Sequence, residues 1–445
     1  MTAHRLPRVL LSWLLVLVIF SAPLPVHRYL LERPYNTLYF EFTAFIIYLS
    51  DIYAALFILA TAITLIAKHL KLHFGLPGLT VPLLLLPIAA LLSVHWATDP
   101  ALAAHFATRL LLLFFLYLAI INAPISTIIV QAGLAIVVVV QGLTAVLQFW
   151  QQHHLGLAWL GEIPIEPVSG LSILVVNGRI WLRAFGLTPH PNILGGYLAA
   201  FLLIVATRFL ETNGRARWLW AGTAVLGLGG LLLSFSRSAW VGLFIAGLIL
   251  LIYLMGQAET RQRYLRLIMP LTIIGLVALV AFAWTQRDLL FSRLQRPDNV
   301  QETRSMSERQ TLNQIAFRII QEHPWRGVGA GQISYHMDNY TDEYPSVAPQ
   351  PVHNMPILLT AEFGILGGLL WLWLTLYPLV ITAQLWRQGQ RSLWTLSLAL
   401  ALLVLAITDF FDFYSWGWQQ GRMLRWLLFG LWAQAVYDPQ NRQIG

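Results

Sequence analysis

The chain has 445 residues, of which 58% are hydrophobic and only 11% charged, and its mean hydropathy is +0.66. About a quarter of a soluble domain is charged, so this balance excludes an ordinary soluble protein and points to a polytopic membrane protein whose backbone is satisfied inside helices. Cysteine is absent, which excludes a disulfide framework and a thiolate nucleophile, and the net charge of +8 comes from arginines in short loops between apolar spans, so no nucleic-acid partner is expected.

A membrane-crossing helix needs about twenty apolar residues. The first such run, VLLSWLLVLVIFSAPL, follows His4, Arg5 and Arg8 and has the outline of a signal peptide. With so many spans behind it, it reads as a retained first helix. Apolar runs fall near 7–24, 43–67, 76–95, 104–121, 126–150 and 189–209, then near 218–234, 238–255, 267–285, 356–383, 393–410 and 422–437. The stretch 218–255 reads either as two full spans or as partly re-entrant, because SFSRSA interrupts it. The tryptophans and tyrosines suit interfacial belts and also sugar-stacking surfaces. Placing the N-terminus in the cytoplasm puts the basic connections KHLK (68–71), RFLETNGRAR (208–217), ETRQRYLR (259–266) and LWRQGQR (385–391) on that side. The opposite side receives 151–188, SFSRSA, 286–355 and DFFDFYSWGW (409–418). The fold class expected is therefore all-α: a single membrane domain over 1–445, about twelve transmembrane helices, both termini cytoplasmic, no separate soluble domain at either end, and one long, partly helical outer loop.

That loop, 286–355, is too long for a connector. Ser307 is placed to cap a helix, and Leu312, Ile315, Ala316, Ile319 and Ile320 follow at helical spacing, predicting an amphipathic helix over 308–322 at the membrane surface. HPWRGVGAG (323–331) breaks it. The glycines lack the Lys-Ser/Thr of a P-loop and any preceding strand, so they read as a tight turn. Pro345, Pro349 and Pro351 then bring the chain in extended form to QPVHNMPILLTAEFGILGG (350–368), where His353 and Asn354 stand at a helix start.

The unusual polar residues fall on the predicted outer side. They are Arg183 and His190-Pro191-Asn192 in WLRAFGLTPHPNILGGYLAAF, Arg237 in SFSRSAWVG, Arg309 in SERQ, Arg326 in HPWRGVGAG, and His353-Asn354. An arginine between two spans marks a functional site when it faces a polar cavity, and its donor fork suits oxygen-rich anions. Arg237 thus reads as a ligand for an anionic headgroup, or else as an arginine snorkelling to ordinary lipid phosphates. An imidazole with an ordinary pKa near 6.5 can take a proton at neutral pH, so His353 is either a base or a structural histidine. His190 competes for the role, although HPN looks like a turn and helix start. Asp338, Asp342 and Glu343, like Asp409 and Asp412, repeat no metal-ligand pattern, so neither a metal nor a cofactor is expected.

Four stretches, RAFGLTPHPNILGGYL, SFSRSAWVG, SERQ…HPWRGVGAG and HNMPILLTAEFGILGG, resemble in order and spacing the O-antigen ligase and O-antigen polymerase superfamily of bacterial membrane glycosyltransferases. The resemblance covers about 180–380, while the N-terminal third agrees only in hydropathy. It implies a GT-C-like helical enzyme of the bacterial inner membrane. Such an enzyme, with membrane lipids around it, moves a glycan from undecaprenyl diphosphate to an acceptor hydroxyl on a glycolipid or glycan at the periplasmic face. Carried over by position, His353 is the base, Arg237 and Arg309 hold the diphosphate, Arg183 is a third ligand, and Asn354, Arg326 and His190 support them. Asn354 either orients the histidine or caps the helix. The resemblance leaves open a ligase onto lipid A–core, a polymerase, or a protein-glycosylating member. Two other classes, an anion or bicarbonate transporter and a membrane scaffold, remain as rivals.

Overall fold

The computed structural model describes residues 5–34, 40–166, 172–176, 179–287, 289, 300–340, 343 and 350–437. The N-terminal helices are α1 (Arg5–Ser21), α2 (Leu49–Ala67), α3 (Pro77–Ser93), α4 (Pro100–Asn122) and α5 (Thr127–Gln151), with a hairpin of β1 (His27–Leu31) and β2 (Phe45–Tyr48) between the first two. Starts follow from local chemistry. Asp99 caps α4 by accepting from the Leu102 N–H at 3.1 Å, with Pro100 at the first helical position where a missing N–H costs nothing. The expected first span, α1, packs against both α2 and α5.

A second small hairpin, β3 (Ile173–Val176) with β4 (Arg179–Leu182), precedes α6 (Pro191–Glu211). Of the apolar window of α6, 89% is buried, against 22% for α7 (Ala216–Leu233) and 33% for α8 (Arg237–Met255). Helix α6 is therefore the bundle's axis, and α7 and α8 leave most of their apolar surface for lipid. The 218–255 stretch resolves into these two full helices, divided by a corner in which Phe235 takes a φ of +50°. After α9 (Ala258–Thr285) come α10 (Val300–Glu322), α11 (Ile333–Asp338), α12 (Met355–Phe363), α13 (Ile365–Arg387), α14 (Leu393–Asp409), α15 (Tyr414–Gly417) and α16 (Gln419–Tyr437). Among the described residues seven helices are long and apolar enough to cross a membrane, and α1, α3 and α14 are shorter apolar helices. The protein is an all-α polytopic membrane protein.

Two local expectations change. The helix foreseen over 308–322 starts at Val300, so Ser307 lies inside it and Arg309 falls in its third turn. Gln, Glu, Arg and Met in the preceding stretch are good helix formers, and a serine among them does not start a helix. Its apolar stripe (Leu312, Ile315, Ala316, Ile319) faces the protein's own core, with α10 packed on α12. The run foreseen over 356–383 breaks at Gly364, whose φ is +69° and whose missing Cβ would meet the Trp325 carbonyl oxygen at 2.3 Å. The turn after α10 seats here: Val328 and Gly329 donate to the carbonyls of Ala361 and Glu362, and Ile365 donates to that of Pro324. GVGAG is thus a tight turn, with positive φ at all three glycines. Asp342, Pro345 and Pro349 lie outside the described residues.

Candidate active site

Four chain segments meet at one end of the bundle. The corner after α14 supplies Asp412, the first turn of α6 supplies Asn192, the loop between β4 and α6 supplies Arg183, and α8 begins with Arg237. Arg183 is buried, its Nε donating to the Ser234 carbonyl at 2.8 Å and its Nη2 to Asn192 Oδ1 at 2.7 Å. Asn192 passes the chain on, donating from Nδ2 to Asp412 Oδ2 at 2.6 Å. The other carboxylate oxygen of Asp412 accepts the backbone N–H of Phe413 at 2.8 Å. A cavity of about 510 Å³ opens over this row, lined by Arg183, Asn192, Phe235, Arg237, Arg309 and Phe411 among others. Three of the four arginines that the sequence placed on one side therefore line one cavity. Such a cluster of guanidinium forks on one cavity can bind a multiply charged oxyanion.

His353 is in electrostatic reach of Asp412 and of Arg309, which lines this cavity. Its ring meets Phe413 edge-on at 5.0 Å, and its Nδ1 is buried with no hydrogen-bond partner among the described residues. Burial pushes the imidazole down to about 4; Asp412 works against the fall and Arg309 adds to it. Burial by itself raises the Asp412 carboxyl, yet His353, His190, Arg309 and the Asn192 hydrogen bond outweigh it and hold the group below its ordinary value. At neutral pH the pair is thus a neutral imidazole beside a carboxylate, a combination that can accept a proton and stabilise the resulting imidazolium.

His190 occupies a different position. Its Nδ1 accepts the Asn192 N–H at 3.1 Å as the cap of α6, which places the ring proton on Nε2, 2.7 Å from Ser172 Oγ. Both nitrogens are engaged, and burial lowers the group's pKa. Asn354 caps α12, accepting the Ile357 N–H at 3.1 Å while its Nδ2 donates to the Phe410 carbonyl at 3.2 Å. The residue thus starts α12 and ties it to the 409–418 corner. Arg326 stands outside the cavity lining, exposed over the Trp96 ring at 5.9 Å.

Sequence reading missed Asp412 and the bridging part of Asn192. A carboxylate at the lip of an apolar span was the available signal. Possible metal ligands gather elsewhere: His153, His154 and Glu166, after α5, bring one ligand atom each within 4.8 Å of one another.

No curated protein matches the chain. Residues 222–372, from α7 into α13, match the family model described as O-Antigen ligase. The matched segment includes Arg237, Arg309, Arg326 and His353 and ends before Asp412, with Arg183 and His190 upstream of it. That match spans about a third of the chain and supports its resemblance to the O-antigen ligase and polymerase superfamily.

Proposed function

We propose that the protein is an O-antigen ligase that moves a glycan from undecaprenyl diphosphate to a hydroxyl of lipid A–core, without a metal ion. The observation that carries this reading is the single cavity lined by Arg183, Arg237 and Arg309, with His353 in electrostatic reach of both Arg309 and Asp412. The acceptor oxygen attacks the anomeric carbon, its bond to the diphosphate oxygen breaks, and the electron pair leaves with undecaprenyl diphosphate. The acceptor's proton passes to His353, and the arginines hold the charge that develops on the leaving group. Because the donor already carries a good leaving group, positioning, charge stabilisation and one proton acceptor suffice, and in-line attack inverts the anomeric centre. The positive-inside distribution of the short loops supports an inner-membrane protein with both termini cytoplasmic and this cavity facing the periplasm.

The test is transfer by the reconstituted full chain, given undecaprenyl-diphosphate glycan and lipid A–core. Glycosylated lipid A–core is the expected product, with Arg237→Ala weakening donor binding. Unchanged donor affinity in that variant removes the diphosphate assignment. A ladder of extended lipid-linked chains without lipid A–core product assigns a polymerase instead, and bicarbonate uptake into proteoliposomes without either product assigns a transporter.

A further inference from the structure

The 409–418 corner faces more than the arginine cavity. Phe411 lines that cavity, Phe413 meets the rings of His353 and Phe42, and Trp416, Trp418 and Gln419 line a separate cavity of about 80 Å³. Pro351, two residues before His353, forms part of the second cavity's wall. Into it comes Arg422, only 5% exposed, lying over the Phe106 ring at 4.4 Å. Among the described residues, neither its Nε nor its Nη1 has a hydrogen-bond partner. Gln419, 1% exposed, donates from Nε2 to Asp51 Oδ1, which leaves its Oε1 without a partner. The Glu362 carboxylate also lines this cavity, held by Trp416 Nε1 at 2.9 Å and by the Gly331 N–H at 3.1 Å.

Buried donors and acceptors left unmade are costly, so the cavity's chemistry defines an occupant. An apolar group leaves Arg422 and Gln419 unsatisfied. A bare anion answers Arg422 but leaves Gln419 Oε1 unmade. A pyranose answers all of them: its hydroxyls accept from Arg422 and donate to Gln419 Oε1 and Glu362, and its C–H faces lie on Phe106, Trp416 and Trp418. We propose that this cavity is a saccharide subsite that seats the acceptor sugar bearing the attacked hydroxyl, linked to His353 through Pro351 in its wall. The assignment to the acceptor rests on the glycan-transfer reading, because the base must reach the acceptor's O–H while the donor's diphosphate occupies the arginines.

The experiment is calorimetric titration of the full-length protein in detergent, without donor. The ligands are core oligosaccharide freed of lipid A and methyl glycosides of neutral hexoses and N-acetylhexosamines. Wild type is expected to bind at least one of them, and Arg422→Gln and Trp418→Ala to weaken that binding at least tenfold. Arg237→Ala should leave it unchanged. Trp418 is half-buried and away from the ion pairs, so its variant serves if Arg422→Gln does not fold. No binding by wild type, or equal binding by both variants, overturns the subsite. In transfer assays the same variants should raise the acceptor's half-saturating concentration tenfold and leave the donor's unchanged. The reverse pattern places a donor sugar there and overturns the acceptor assignment. If the protein transfers no glycan at all, the transfer reading fails, and the titration still decides whether the cavity binds a saccharide.

Discussion

His353 and His190 differ in what their nitrogens do. His190 accepts a backbone N–H and faces Ser172 with its other nitrogen, whereas Nδ1 of His353 has no partner among the described residues. Replacing His353 with alanine is expected to lower transfer by about 10²–10⁴-fold, the usual worth of a general base, with donor binding retained. Full activity would remove the assignment. Protonation blocks a base, so activity should fall only as pH drops toward about 4 and show no limb near the ordinary histidine value. Asp412 favours the imidazolium, so Asp412→Asn should shift this acid limb to still lower pH, as read from kcat/KM profiles. An unshifted limb would separate the two groups. The sequence made His353 legible because an imidazole at a helix mouth is unusual. Asp412 was illegible because its meaning depends on Asn192, 220 positions away, and only folding joins the two.

At the scale of elements, the loop helix α10 and the turn behind it are held by the broken helix pair α12 and α13. Two glycines make the contact possible: Gly327 against the Glu362 backbone and Gly364 against the Trp325 carbonyl, each with a missing Cβ that would fall 2.3 Å from a backbone atom. Gly364→Ala adds left-handed strain, itself of order 1 kcal/mol or more, to that collision. It should lower the unfolding temperature and reduce transfer, because Arg309 rides on α10. A variant with wild-type stability and activity would show that the turn is not what positions the helix. The breakers were readable in the sequence, as was the amphipathic stripe of α10. The start of α10 and its burial were not, since an apolar stripe looks alike whether it meets lipid or α12.

At the scale of the whole molecule, α13, α14 and α16 are joined by one buried polar knot. Asp409 accepts from Arg425 Nη2 at 2.5 Å, from Trp371 Nε1 at 2.8 Å and from the Ser415 hydroxyl. Arg425→Met leaves a buried carboxylate without its cation and is expected to cost about 3–5 kcal/mol, measured by denaturant unfolding in detergent. The double variant with Asp409→Asn should recover part of that loss, and no recovery would show that the pair does not act as a unit. Hydropathy alone carried the all-α polytopic fold and most span positions. It said nothing of this knot, because Arg425 and Arg422 sit within a run read simply as the last span.

The arginine cavity is lined by residues from Arg183 to Phe411, and its row of hydrogen bonds is anchored by Asp412. A ribosome delivers these parts in order, so a nascent chain ending after α8 would hold Arg183 and Arg237 but neither Arg309 nor His353. The site closes only when the corner after α14 has emerged and met the start of α6. Synthesis itself therefore acts as a timer: a chain stopped before residue 412 carries apolar helices into the bilayer without the carboxylate that anchors the row.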